Sequence, residues 1–416
     1  VGSTPTPFRQ ILASHTGSYA ADRGDGLCAA AHFPCWRFRF LQFSTREKQP
    51  PHFDSGEELM SDKTNAPFLR NAWWQAAWSD EIDNEKGILA RTIMNEPIVF
   101  FRDKSGKVGA IEDRCCHRGA PLSHGNVVEK GLECLYHGLT FDCSGKCVEI
   151  PGQDSIPPMA NVKSYPVVER QEFIWIWMGD LAKADESKII DWPFHEGEKK
   201  LPHRKATMPI QVNFMMMIDN LMDLTHLGYV HRKTIGGDPR THVNAKMDTV
   251  RTEAGVKYVR WMDDCNPPPT YVKGAGFKGK VDRWQEFEYV LPGSVLQWSG
   301  ALDVGKGARE NREQDGFHLR LFHGITPATE TTSYYFWSTA NGYRTDDPQA
   351  TEDMYNEIYP TFVEDVDIMN VQQQRINMDP DRPLVGIKAD HALVLARRAL
   401  QQALDEERSA VAQAAE

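Results

Sequence analysis

Short apolar runs separated by turn residues fill the chain from about Phe68 to Gly179, whereas Leu, Ala and Val recur at helix-like spacing near its end. Glu96-Pro-Ile-Val-Phe-Phe-Arg102 reads as a strand, Asp103-Lys-Ser-Gly106 as a turn, and Lys107 to Glu112 as a second strand. Cys- and Gly-rich loops follow, and Phe173-Ile-Trp-Ile-Trp-Met178 closes a small all-β domain. Beyond Asp180 the pattern mixes. It predicts a helix around Met215 to Leu227, long strands at Arg283 to Trp298 and Phe317 to Ile325, and another strand at Ser333 to Thr339. Helices are predicted from about Asp353 to Gln374 and from His391 onward. The expectation is an α+β chain, all-β over 60–180 and sheet plus helices over 181–416, ending in a C-terminal helix. Residues 1–59 show no sustained period and no charged segment leading into an apolar core, and are expected to be a disordered extension.

Composition sharpens this. The 416 residues are 41% hydrophobic and 25% charged, the balance of a globular protein of two to three domains. A net charge of −11 argues against a nucleic-acid binder, and all of it lies beyond the extension, whose six basic and six acidic residues cancel. No run approaches the roughly 20 apolar residues that cross a bilayer, so no membrane association and a cytoplasmic setting are expected. Eight cysteines are too few for a disulfide scaffold, yet five crowd into 115–147, which points to metal or redox chemistry.

Within that stretch the pattern is Cys115-x-His117, then Cys134-x-x-His137. Two thiolates and two imidazoles on paired short loops suit a mixed-ligand [2Fe–2S] centre, with Cys on one iron and His on the other. Tetrahedral Zn²⁺ accepts the same four ligands. The ordering favours the cluster, because each loop supplies one Cys and one His among glycines instead of grouping like with like before a recognition helix. Cys143 and Cys147 read as ordinary buried or turn residues.

Cys115-Cys-His-Arg-Gly-Ala-Pro-Leu-Ser123 and Cys134-Leu-Tyr-His-Gly-Leu-Thr-Phe141 strongly resemble the Rieske motif of ring-hydroxylating-type oxygenases. A Rieske centre moves one electron, so catalysis needs a second site. Asp219-Asn220-Leu-Met-Asp223-Leu-Thr-His226-Leu-Gly-Tyr-Val-His231 supplies two histidines, and a non-haem Fe(II) that binds O2 wants two His and one carboxylate. On a helix Asp223 and His226 share a face, but His231 falls about 140° away, so the helix must end or bend between them, with Gly228 the residue that permits it. The stretch matches the Asn-x-x-Asp-x-x-His-x-x-x-x-His pattern of the same family. That resemblance implies His226 and His231 as iron ligands, Asn220 near the iron, and Asp223 as the bridge from His137 of a neighbouring copy to His226. Glu364-Asp365-x-x-x-x-Asn-x-Gln372-Gln373 resembles the family's Glu-Asp helix, which implies Asp365 as third ligand, with Glu364 and Asp367 as rivals.

The resemblance covers most of 66–405 and is closest to the vanillate and dicamba O-demethylase subfamily. It implies a Rieske domain followed by a helix-grip, START-like domain, a homotrimer, and electrons from NADH through a ferredoxin and reductase, or a fused reductase. The implied activity is oxidative O- or N-dealkylation of a substituted aromatic compound with release of aldehyde. Alternatives are cis-dihydroxylation of the ring, or an electron carrier with an inert binding domain. By similarity Gln297, His323 and Asn356 fall where substrate contacts lie, Asn356 replacing an expected aromatic. Phe214, Met215 to Met217, Ile218, Trp284 and Trp298 are candidates for an apolar cavity.

Overall fold

The computed structural model describes residues 68–312 and 314–414, so the expected extension over 1–59 lies outside the described residues. Ten strands come first: β1 (Trp73–Trp78), β2 (Ile88–Ile93), β3 (Glu96–Arg102), β4 (Val108–Glu112), β5 (Asn126–Val128), β6 (Gly131–Glu133), β7 (Thr140–Phe141), β8 (Cys147–Glu149), β9 (Val167–Arg170) and β10 (Phe173–Trp177). They form three small antiparallel sheets, ordered β1-β10-β9, β2-β3-β4 and β5-β6-β7-β8. The predicted turn after β3 forms because the Asp103 carboxylate accepts from the N–H groups of Ser105 (2.9 Å) and Lys107 (3.0 Å) while Gly106 takes φ +88°.

The second half holds β11 (His203–Ile210), α1 (Phe214–Met222), α2 (Pro239–Val243), β12 (Lys246–Arg251), β13 (Gly255–Cys265), α3 (Pro269–Ala275), β14 (Val281–Val290), β15 (Ser294–Asp303), β16 (Phe317–Thr329), β17 (Thr332–Asn341), α4 (Pro348–Met378) and α5 (His391–Ala414). Its strands make one seven-stranded antiparallel sheet, β11-β17-β16-β15-β14-β13-β12.

Side-chain alternation gives this sheet two different faces. Tyr258, Phe287, Val295, Leu321 and Trp337 pack with buried residues of α1, α4 and α5 in the main core. Leu296, Phe322 and Phe336 point the other way, onto Trp73, Trp78, Phe173, Trp175 and Trp177 of the β1-β10-β9 sheet. The apolar core is therefore continuous across residue 180, and the backbone agrees: Met94 and Asn95 N–H groups donate to Pro327 and Ala328 carbonyls at 3.0 and 2.8 Å.

Two predicted elements change and one hairpin goes unpredicted. The strand read over Arg283 to Trp298 is two, because Leu291-Pro292-Gly293 turns the chain and Val290 pairs with Ser294; Pro292 has no N–H to give a ladder. The helix read to Leu227 ends at Met222, since Asp223 takes an extended conformation (φ −127°, ψ 106°). The β12-β13 hairpin, half-exposed on β12 and ending in a run of charged residues, was missed by the apolar pattern.

Candidate functional site

The two cysteine loops are the same turn built twice. In the first, Cys115 N–H donates to Ala120 O (2.8 Å) and Gly119 N–H to Cys115 O (2.9 Å); in the second, Cys134 pairs with Leu139 (2.8 Å) and Gly138 with Cys134 (2.9 Å). Gly119 and Gly138 close these turns at φ +69° and +74°, where a side chain is strained. Cys115 and Cys134 point inward and join a core with Leu122, Leu132 and Phe141, whereas His117 and His137 are exposed with ring centroids 4.5 Å apart. Burial, and then the hydrogen-bonded Cys134 thiol, push the Cys115 thiol up to about 11. Such thiols become ligands once a metal takes their protons. Cys143 and Cys147 stand apart, their sulfurs directed to the Asp103 carboxylate (3.6 Å) and the Glu149 carbonyl (3.4 Å).

The second constellation is buried. After α1, the Asp223 carboxylate caps a short 3₁₀ turn, Leu224–Gly228, by accepting from Thr225 N–H (2.9 Å) and Thr225 Oγ1 (2.8 Å). The α-helix thus breaks at Asp223, before both histidines, and the 3₁₀ turn carrying His226 ends at Gly228, before His231. Gly228 also serves close packing, for a Cβ there would meet Pro239 Cα at 2.5 Å. His226 Nδ1 donates to the Asp223 carbonyl (2.6 Å), and His231 Nδ1 donates to Glu364 Oε2 (2.8 Å). With Nδ1 carrying the proton, each neutral ring turns an Nε2 lone pair forward. Both point at Asp365 Oδ1, at 3.5 and 3.0 Å, and this oxygen also accepts from Asn220 Nδ2 at 3.0 Å.

Acceptors facing an acceptor at these distances need a cation or a proton between them. The ligand atoms of His226, His231 and Asp365 lie within 4.8 Å of one another, and among the described residues they are the group that converges so closely. The donor set fits a divalent iron, with each ring oriented from behind by a carbonyl or carboxylate. Cys115 and Cys134 are buried while His117 and His137 are exposed, a division that suits a two-iron cluster with Cys on one iron and His on the other.

Burial disfavours charge on His226 and lowers its pKa. On His231 burial acts the same way, but the Asp365 and Glu364 carboxylates outweigh it and raise the pKa. Glu364, read from the sequence as a rival ligand, instead braces His231. Adjacent positions on α4 lie about 100° apart, so a helix that aims Asp365 inward leaves Glu364 at its flank. Asp367 is exposed and, two positions on, lies about 200° around α4 from Asp365.

The remaining expected residues divide. His323 is fully buried, with Nδ1 bonded to Tyr335 OH (2.7 Å) and Nε2 to Gln297 Oε1 (3.0 Å). It also sits edge-on to Phe362, one turn before Asp365, at 5.6 Å. Gln297 and His323 therefore form one polar wall facing α4. Asn356 does not join them: it is exposed, and nine residues before Asp365 it falls on the opposite side of the helix. Phe214, Met215 to Met217 and Ile218 belong to the main core, whereas Trp284 packs with Leu302 and Ala308, and Trp298 beside the Trp-rich cluster.

Two family profiles match: the Rieske [2Fe-2S] domain over residues 72–166, and the Vanillate O-demethylase oxygenase C-terminal domain over residues 210–406. The chain belongs to the Rieske non-haem iron oxygenases. It is 39% identical to the toluene-4-sulfonate monooxygenase system iron-sulfur subunit of Comamonas testosteroni, over 83% of this chain and 99% of that protein. To the vanillate O-demethylase oxygenase subunit of a Pseudomonas species the identity is 36%, over 82% and 97%. A crystal structure of dicamba monooxygenase bound to 3,6-dichlorosalicylic acid superposes with a TM-score of 0.76 at 30% identity, covering 82% of this chain and 99% of that one. The fold is the expected one, an N-terminal all-β Rieske domain followed by an antiparallel sheet gripped by helices. This Rieske oxygenase is a monooxygenase component that carries a [2Fe–2S] cluster and a non-haem iron. Among the described residues no helix is long and apolar enough to cross a membrane.

Proposed function

We propose that this chain is the terminal oxygenase that removes an O- or N-linked alkyl group, typically methyl, from a substituted aromatic compound. The observation that carries the reading is the convergence of His226, His231 and Asp365 on one point, beneath the Gln297 and His323 wall. His226, His231 and Asp365 would hold the iron, and Cys115, His117, Cys134 and His137 the cluster. When bound, these groups would activate O2 with electrons that originate in NADH.

The protein's own residues supply position and dryness. Glu364 and the Asp223 carbonyl fix the tautomers of His231 and His226, and Asn220 orients Asp365. Gln297, half-buried, and His323, fully buried, face the substrate and keep water out. One oxygen atom enters a C–H bond next to O or N, the other leaves as water, and NADH supplies two electrons. The resulting hemiacetal or carbinolamine then breaks its C–O or C–N bond, giving a phenol or amine and an aldehyde.

The cluster histidines are exposed, which suits transfer to the iron of a neighbouring copy in a homotrimer, with Asp223 bridging His137 to His226. A ferredoxin and reductase, or a fused reductase, would feed the cluster in the cytoplasm, where NADH is available. The proposed domains are 60–180 for the cluster and 181–416 for the iron.

A second reading follows from the toluene-4-sulfonate relative, whose named substrate bears its alkyl carbon directly on the ring. Hydroxylation there stops at a stable alcohol. The test is reconstitution with a ferredoxin, reductase and NADH on methoxy-, N-alkyl- and methyl-arenes, with products identified by mass. Aldehyde release from the first two supports dealkylation. Benzylic alcohol alone would move the assignment to alkyl hydroxylation, and a diol without aldehyde would overturn both.

A further inference from the structure

Two guanidinium groups on the helix-covered face of the seven-stranded sheet have no part in the chemistry above. Arg260 on β13 and Arg283 on β14 are 3% and 1% exposed. They share a face, since Arg260 pairs across the ladder with Gln285, two residues from Arg283. Their partners are neutral. Arg260 Nη2 donates to the His242 carbonyl (2.6 Å), and Arg283 Nη2 to the Ile235 carbonyl (3.0 Å), its guanidinium lying 4.7 Å over the Tyr271 ring. Among the described residues neither makes an ion pair with a carboxylate.

Both cations retain a buried N–H with nothing to bond: Nη1 of Arg260 and Nε of Arg283. Burial, more than any other cause, disfavours the charge on Arg260; Tyr258 and Asp223 support it and the nearby Arg283 opposes it. Two desolvated cations whose direct contacts are carbonyls and a ring lack a touching anion, and a buried charge is tolerated when a counter-charge completes it.

This corner adjoins the iron ligands. The Ile235 and Gly236 carbonyls that receive Arg283 follow His231 in the chain, and Gly236 N–H donates to the His231 carbonyl at 3.0 Å. The Gln297 and His323 wall is less suited to receive an anion: both His323 nitrogens are bonded, and the Gln297 amide reaches His323 on one side and Ser299 Oγ (2.8 Å) on the other.

We infer that Arg260 and Arg283 form a subsite for an oxyanion carried by the substrate, a carboxylate or sulfonate on the aromatic ring. The charged end is held against β13 and β14 while the alkyl carbon reaches toward His226, His231 and Asp365. The inference deepens the proposed function and rests on it for which end of the substrate meets the iron. A guanidinium can meet an oxyanion with paired N–H groups, a geometry that an ester or amide of the same outline cannot fully use.

The test is anaerobic calorimetry on the holoenzyme, where no turnover intervenes. The probes are methoxy- and methyl-substituted benzoates and benzenesulfonates, each paired with its neutral methyl ester or primary amide. The wild type should bind the preferred anion at least about tenfold more tightly than its neutral partner. Arg283→Met and Arg260→Met should each weaken the anion by about 10- to 100-fold and the neutral partner by less than about threefold, with Arg283→Lys recovering part of the loss. Equal loss for both members of a pair would overturn the subsite. So would a wild type that binds no anion more tightly than its neutral partner, and that comparison stands even if the Met variants fail to fold. Aldehyde assays separate the two proposals. Charge-selective binding without aldehyde release sinks dealkylation and leaves the subsite, whereas aldehyde from neutral arenes without charge selectivity does the reverse.

Discussion

The cluster loops and the iron site solve opposite problems with related ligands. At residues 115–138 the Cys115 and Cys134 thiols are buried and the His117 and His137 imidazoles exposed, with Leu135 and Tyr136 also 65% and 63% exposed around them. At residues 223–231 one imidazole is fully buried, the other is half-buried, and both are braced from behind. An electron can cross a surface, so its carrier presents ligands outward. Oxygen activation needs a dry, fixed geometry, and the residues proposed to hold the iron sit between a helix and a sheet.

The sharpest way to break that contrast is to remove one ligand from each side. His231→Ala should eliminate the mononuclear iron and cut turnover by about 10³-fold or more, while the reduced-Rieske EPR signal stays unchanged. Iron analysis should fall from three to two per chain. Cys134→Ser should do the converse, abolishing the EPR signal. It should also lower the melting temperature, because that sulfur is part of the local core. If either variant lost both metals, the two sites would not be independent.

A smaller effect is expected at the brace. Glu364→Gln keeps all three ligands but deprives His231 of its carboxylate, and iron affinity should fall by about 10- to 100-fold with the EPR signal unaltered. An unchanged iron affinity would mean that the ring is held by packing alone.

The smallest effect concerns the seam joining the two regions. His195 is fully buried, its Nδ1 bonded to the Gln171 carbonyl (3.0 Å) on the Rieske side and its Nε2 to Ser338 Oγ (2.7 Å) on β17. Burial and the adjacent His203 pull its pKa down to about 3. The unfolded chain therefore takes up a proton below about pH 6.5 that the folded chain refuses until about pH 3, and stability falls as pH drops through that window. At pH 5 this amounts to about 2 kcal/mol from this residue. His195→Gln should flatten that part of the urea-stability profile between pH 7 and 5. A variant whose slope matches the wild type would show that the ring is not neutral in the folded state.

Legibility followed the density of local chemistry. The Cys and His spacings, the turn at Asp103, β3 and the long C-terminal helices could be read because each depends on neighbours in sequence. Asp365 could be placed through its Glu-Asp helix, but the division of labour with Glu364 could not, since it depends on which way α4 is rolled against a sheet distant in sequence. The break at Asp223 left a usable signal, an Asp two residues before a Thr whose N–H it caps, masked by the apolar residues that continue through Leu227. Leu291-Pro292-Gly293 was likewise a turn signal inside an apolar run. Arg260 and Arg283 gave none, because arginine on a strand reads as a solvated face until the fold buries it.

Asp223 does two jobs with different atoms: its carboxylate knots the turn through Thr225, and its main-chain oxygen grips the His226 ring. Deleting that side chain to test the proposed route between subunits would also loosen the seat of His226, and lost turnover would have two explanations. Asn keeps an oxygen for the knot, so Asp223→Asn is the substitution that separates a broken wire from a shaken socket.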